Sequence, residues 1–88
     1  MDDFLKRYDL ARVEWTDASR LNDGWMDLSD IPTPYLHRCV TVGFVIGENK
    51  DGIVLVPTIG DTDHIENSHT YGGMMIPRHA ILSRKRLR

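Results

Sequence analysis

Apolar and polar residues alternate most clearly in two runs near the middle of the chain, residues 39–47 and 53–59. Both runs are rich in Val and Ile, and the polar segment 48–52 joins them. Alternation with a period of two around a turn that ends in Gly is typical of a β-hairpin. We predict that one face of the first strand is core: Val40, Val42, Phe44 and Ile46. The opposite face consists of Cys39, Thr41, Gly43 and Val45, with Gly43 marking a bend or a close backbone approach.

The segment before this hairpin predicts a short helix and then a strand. Asp2 or Asp3 is suited to cap a helix that places Phe4, Leu5 and Tyr8 on one face. After it, Val13 and Trp15 alternate with polar residues, which indicates a half-buried strand.

A brief helical turn is predicted over residues 16–21, with Thr16 and Asp17 as its cap. Residues 25–38 then contain Pro32 and Pro34, which exclude both a helix and a central strand. We therefore expect an ordered loop there, anchored by Trp25.

The last third of the chain predicts a second hairpin. Residues 71–76 resume a strand, residues 77–79 form a corner around Pro77, and residues 80–87 close the sheet. Five short antiparallel strands favour a mainly β fold, a small SH3-like barrel with a short N-terminal helix, because closure removes exposed strand edges. The whole chain, residues 1–88, is then a single domain.

Composition narrows the class of protein. A chain of 88 residues that is 41% hydrophobic and 27% charged builds only one modest core, which disfavours a deep enclosed active site. Its single cysteine, Cys39, excludes an internal disulfide, and its longest apolar run is too short to span a bilayer. We therefore expect a cytoplasmic protein that does not act at a membrane.

The charge of the chain is unevenly distributed. All 13 acidic residues lie within positions 1–66, whereas residues 67–88 contain five basic residues and no acid. Four of these five stand at the very end: Arg84, Lys85, Arg86 and Arg88. Such a cluster indicates an alternative function, a nucleic-acid-binding module, although a solvated last strand has the same pattern.

Candidate chemistry is concentrated between residues 61 and 69. The mixed carboxylates and imidazoles there are Asp61, Asp63, His64, Glu66 and His69. They suit a metal-dependent hydrolase or an acid–base pair, and a zinc set would combine His37, Cys39, His64 and His69. The spacing is equally typical of a solvated loop, and the chain has no nucleotide-binding or nucleophile motif. We predict no catalytic residue, no metal and no cofactor.

A series of short motifs carries a resemblance to a known group of proteins. In order they are Val13-Glu14-Trp15-Thr16-Asp17-Ala18, Gly24-Trp25, Val42-Gly43-Phe44, Val54-Leu55 and Ile76-Pro77-Arg78-His79-Ala80-Ile81. Over about residues 12–82 the chain resembles small uncharacterised proteins encoded by tailed phages and prophages. The resemblance implies a phage origin and a small β-rich fold, and it implies no catalytic residue.

These observations favour a non-enzymatic binding protein that acts by contact with a host protein or a small charged ligand, with phage counter-defence as a setting. The residues predicted to make the contact are Trp25, Tyr35, Asp61, Asp63, His64, His69 and Tyr71. A homodimer is also expected, because a small domain gains stability when strand edges or apolar patches are buried between copies.

Overall fold

Strands account for about half of the described chain in the computed structural model. The structure describes residues 6–18, 21 and 24–88. The strands found there are β1 (Leu10–Asp17), β2 (His37–Glu48), β3 (Gly52–Val56), β4 (Ile59–Gly60), β5 (His69–Thr70), β6 (Met74–Pro77) and β7 (Ile81–Arg86). The same ranges contain three single-turn 3-10 helices, at Leu28–Asp30, Ile65–Asn67 and Arg78–Ala80. The mainly β prediction is confirmed.

Five of the strands form one antiparallel sheet in the order β6-β3-β2-β1-β7, and β4 pairs with β5 in a separate small ladder. The predicted hairpin is confirmed as β2 and β3. Its turn is closed by Asn49, whose N–H donates to the Gly52 carbonyl and whose Oδ1 accepts from the N–H of Asp51 at 2.8 Å. An Asn side chain that bonds its own turn is a common way to fix this connection.

The sheet is open in the part of the chain that the structure describes, because β6 and β7 stand at its two ends and do not pair. A five-stranded antiparallel sheet is therefore what the structure shows. The predicted N-terminal helix falls largely on residues 1–5, which lie outside the described residues, and residues 6–8 form a turn. β1 continues through Asp17, so the predicted cap Thr16 and Asp17 belongs to the strand, and residues 19 and 20 of the helical turn predicted through Leu21 lie outside the described residues.

The core lies on one face of the sheet, called the inner face below. Val13 on β1, Ile53 and Leu55 on β3, and Ile76 on β6 are all fully or almost fully buried there. Trp15 packs against this cluster, and its Nε1 donates a hydrogen bond of 3.0 Å to Thr41 Oγ1. Apolar burial supplies most of the stability of such a small sheet, so these side chains hold the strands together.

The predicted core face of β2 is wrong. Val40, Val42 and Ile46 are exposed on the outer face, and Phe44 is only half-buried. The inner face is instead formed by the alternate set, Cys39, Thr41, Gly43 and Val45, which lies beside Ala11, Val13 and Trp15 of β1. Alternation in one strand specifies two faces but not which of them is buried, and the register with β1 decided it.

Gly43 marks a close backbone approach, as predicted. A Cβ atom on Gly43 would lie 2.8 Å from the carbonyl oxygen of Val56 on β3. The register between β2 and β3 then shifts between Val45 and Gly47, a β-bulge that bends the strand. After the bulge, Glu48 on β2 pairs with Ile53 on β3, a member of the core cluster.

Removing apolar volume from the inner face is expected to destabilise the protein far more than removing it from the outer face. Ile53→Ala should lower the free energy of unfolding by about 2 to 5 kcal/mol, because the cavity it leaves is enclosed. Val42→Ala is the matched control, because Val42 is 49% exposed. Urea denaturation of both variants measures the difference, and equal losses would contradict the assignment of the faces.

Adding one methyl group at Gly43 is expected to push β2 and β3 apart. Gly43→Ala should cost roughly 1 to 3 kcal/mol of stability, because the atom in its way belongs to the backbone. Gly47→Ala on the same strand is the control, since no heavy atom lies within 4 Å of its Cβ position. Thermal denaturation of the two variants tests this, and a control that is destabilised as much as Gly43→Ala would refute it.

Candidate functional site

The connection between β1 and β2 carries an exposed segment, residues 24–36, which we call the arm. Its 3-10 turn Leu28–Asp30 is closed by a 2.9 Å bond from the Asp30 N–H to the Asp27 carbonyl. The residues on either side, Asp27 and Ile31, are extended. Pro32 and Pro34 follow, and their fixed φ angles keep the second half of the arm extended. The predicted ordered loop therefore contains one turn and an extended stretch that leads into β2.

The arm exposes large apolar side chains to solvent. Trp25 is fully exposed, Leu28 is 88% exposed and Tyr35 is 70% exposed, and the neighbouring Ile31 and Leu36 are exposed as well. The Tyr35 ring lies 6.4 Å from the His37 ring at the start of β2. The expectation that Trp25 anchors the loop is wrong, because an anchor residue would be buried against the sheet. Exposed apolar groups of this size mark interaction surfaces when they are contiguous.

The loop that connects β4 and β5, which contains several of the residues predicted to make the contact, is held by its own polar groups. Asp61 adopts a positive φ of 57° at the start of the turn. Its carbonyl accepts the N–H of His64 at 3.1 Å and the hydroxyl of Ser68 at 3.2 Å. Asx and Ser residues that bond nearby backbone are typical of a structural turn.

His69 and Asp61 are the two predicted site residues that the structure brings together within this loop. His69 Nδ1 lies 3.6 Å from Asp61 Oδ2, and the His69 ring lies against Gly60, where a Cβ would meet Nε2 at 2.6 Å. The cavity beside His69 has a volume of about 170 Å³, below the roughly 300 Å³ at which small-ligand sites begin. The side chains of Asp63, His64, Glu66 and Tyr71 are exposed.

The predicted site residues fall into two groups. Trp25 and Tyr35 belong to the arm, whereas the rest lie between Asp61, just after β4, and Tyr71, just after β5. No hydrogen bond, ion pair or ring contact of the described residues joins the two groups. Over residues 6–18, 21 and 24–88, no three His, Cys, Asp or Glu side chains gather as a metal site, so the four residues of the zinc alternative are not brought together.

Three of the basic C-terminal residues, Arg84, Lys85 and Arg86, lie on β7, and the two arginines meet acids from distant parts of the sequence. Arg84 donates to Glu48 Oε2 at 2.7 Å and also lies 3.9 Å from Asp9, and Arg86 lies 3.3 Å from Asp9. The guanidinium of Arg88 stands 5.8 Å from the centre of the Phe44 ring. These contacts lower the positive potential that the sequence cluster indicated. Sequence reasoning missed them because Asp9 and Glu48 reach β7 only through the sheet.

Glu48 is the centre of this ionic cluster. The pKa of Glu48 lies below its ordinary value, mainly because Arg84 donates a hydrogen bond to the carboxylate. Partial burial raises this pKa, whereas the positive charges of Arg84 and Arg78 lower it further. Arg78 lies 3.5 Å from Glu48 and donates as well to the carbonyl of Asn49, so the 3-10 turn before β7 is tied to the β2–β3 hairpin. The cluster has a structural use, which is to hold both ends of the sheet to β2.

None of the protein-family models, curated proteins or solved structures with which we compared the chain matches it. Across the described ranges, no helix has both the length and the apolar character needed to cross a membrane.

Glu48 is expected to stabilise the fold only while its carboxylate is charged. Its folded-state pKa lies below the unfolded-state value near 4.5, so its contribution is present above about pH 4.5 and is lost as the pH falls through the folded-state pKa. The difference in unfolding free energy between the parent and Glu48→Gln should therefore shrink in acid.

Urea denaturation across a pH series measures this difference. The exposed Glu66 provides the control: Glu66→Gln should leave the stability at neutral pH unchanged. A difference between the parent and Glu48→Gln that stays constant down to the lowest pH would contradict the role given to the carboxylate.

Proposed function

We propose that the chain is a non-enzymatic protein-binding module and that the arm makes the contact. The observation that carries this proposal is the exposure of Trp25, Leu28 and Tyr35 on one connection between two strands of the central sheet. Trp and Tyr are the side chains that most often dominate the binding energy of protein interfaces. When another protein covers such exposed residues, their apolar surface is removed from water, and this burial favours binding.

The conformation of the arm also suits binding. Pro32 and Pro34 restrict the unbound arm to an extended shape, which reduces the conformational entropy that binding removes. Extended segments rich in proline and aromatic residues are a common form of peptide ligand for grooves on other proteins. The arm therefore has the properties of a segment that inserts into a partner's groove.

The other functions have less support. A small charged ligand would need an enclosed cavity. The cavity of about 170 Å³ beside His69 and the larger one of about 370 Å³ lined by Trp25, Met26, Asp27 and Asp30 are both open to solvent. A nucleic-acid surface would need free basic groups, whereas Arg84 and Arg86 are engaged by Asp9 and Glu48. A hydrolase built on residues 61–69 would need more than the Asp61–His69 pair, and the loop groups around it serve the turn.

Two finer expectations form part of the same proposal. An SH3-like barrel is the first: the 3-10 turn Arg78–Ala80 joins the two outer strands β6 and β7, and pairing of these strands would close the sheet. A phage setting with counter-defence, and a host-cell cytoplasmic location, rest on the resemblance of the short motifs alone.

Removing either aromatic side chain of the arm is expected to weaken partner binding. The parent protein would first be immobilised, and proteins retained from a bacterial lysate would be identified by mass spectrometry and purified. Trp25→Ala and Tyr35→Ala should each weaken binding of the purified partner by roughly tenfold or more, the loss expected for a buried aromatic anchor. Isothermal titration calorimetry measures the dissociation constants.

Tyr71 supplies the matched control for this experiment. It is 87% exposed, like the arm aromatics, but it lies in the loop after β5. Tyr71→Ala should bind as the parent does. Loss of binding in Tyr71→Ala with retention in both arm variants would move the site to the loop, and loss only in Lys85→Glu would favour the basic strand.

A further inference from the structure

One side of β2 has no neighbouring strand along half of its length. β2 runs over His37–Glu48, and all of it from His37 to Phe44 pairs with β1. On its other side, β3 pairs only from Phe44 onwards. Residues 37–43 therefore have a strand on one side and, among the described residues, none on the other. We call this side of residues 37–43 the open edge.

The hydrogen-bond pattern shows which residues present their backbone at the open edge. The N–H of Val45 donates to the carbonyl of Asp9 at 2.8 Å, in the register that also pairs Leu10 with Phe44. In an antiparallel pair, alternate residues exchange both of their bonds with the same neighbour. The odd-numbered residues of β2 therefore bond to β1, and Arg38, Val40 and Val42 direct their N–H and C=O groups towards the open edge.

We propose that two copies of this chain associate through their open edges, with antiparallel β2 strands and a two-fold axis at Val40. The open edge begins at His37, where the arm ends, and finishes at Gly43, before β3 occupies the edge. Val40 is the midpoint of this stretch. An antiparallel pair centred there uses the open edge of both copies from end to end, and about six backbone hydrogen bonds form between the copies.

The side chains on the open edge are compatible with this pairing. In the proposed register Val40 faces Val40 of the second copy, and Arg38 faces Val42, so no two like charges stand opposite each other. Val40 is 55% exposed and Val42 is 49% exposed in the single chain. Pairing would shield these side chains from water and satisfy backbone groups that otherwise depend on solvent.

The two outer strands of the sheet are less suited to the same use. β7 carries Arg84, Lys85 and Arg86, so pairing it with a second β7 would crowd basic side chains. β6 has only four residues and ends at Pro77, which has no N–H to donate. The open edge of β2 is thus the edge on which self-pairing meets the fewest obstacles.

Sedimentation equilibrium of the full chain tests the association. The parent is expected to approach twice its monomer mass of 10.1 kDa as its concentration rises. Val40→Lys would place two lysines against each other at the axis, and it should shift the equilibrium to monomer by at least tenfold in dissociation constant. Val40→Thr keeps a β-branched side chain at the same position and should remain dimeric. Circular dichroism verifies that each variant is folded.

Cross-linking tests the register directly. In a Cys39→Ser background, Val40→Cys should form an interchain disulfide rapidly under mild oxidation, because facing residues in such a pair lie about 5.5 Å apart at Cα. Met75→Cys in the same background is the control, since Met75 is more exposed, at 76%, but lies on β6. It should cross-link at least tenfold more slowly.

Three results would overturn the proposal. The first is a parent that stays monomeric at the highest soluble concentration. The second is a dimer that dissociates in Trp25→Ala and persists in Val40→Lys, which would assign self-association to the arm. The third is equal cross-linking rates for Val40→Cys and Met75→Cys. None of these results bears on whether the arm binds another protein, which the calorimetry measures separately.

Discussion

Burial of a few aliphatic side chains on the inner face of the sheet is the interaction on which the other features depend. Val13, Ile53 and Ile76 come from three different strands and are completely buried together. Because the chain has no disulfide to replace this contact, the register that joins these strands also fixes every other side chain on them. It turns Val40 outwards and sets Glu48 beside the core, where Arg84 and Arg78 reach it.

The exposed apolar groups are concentrated around one end of β2. The arm leads directly into His37, and the open edge follows from that residue to Gly43. The backbone groups of a strand edge recognise a partner by the geometry of its hydrogen-bonding groups. The aromatic side chains of the adjoining arm recognise the shape of an apolar surface. The sheet is held together by its inner face, so it can present both the open edge and the arm without a change to its core. Different residues are therefore responsible for binding and for stability.

The sequence predicted those features that depend on neighbours along the chain. The β2–β3 hairpin, the corner at Pro77 and the close approach at Gly43 all follow from alternation, turn residues or a missing side chain. The buried face of β2 did not follow, because the register with β1 places Thr41 on the inner face beside Val13. Nor did the pairing of Arg84 with Glu48, or the exposure of Trp25, because both depend on how distant segments meet.

The molecule also has an elongated shape. Its Cα radius of gyration is 17.3 Å, against about 12 Å for an average domain of this length, and its extents are 57 × 25 × 20 Å. A particle more than twice as long as it is wide experiences more friction than a sphere of equal mass. A single chain should therefore elute early from a sizing column, and its rotational diffusion should be faster about the long axis than across it. In NMR, amide N–H bonds parallel to the long axis will relax at different rates from those perpendicular to it. These relaxation rates therefore report how each strand is oriented relative to the long axis.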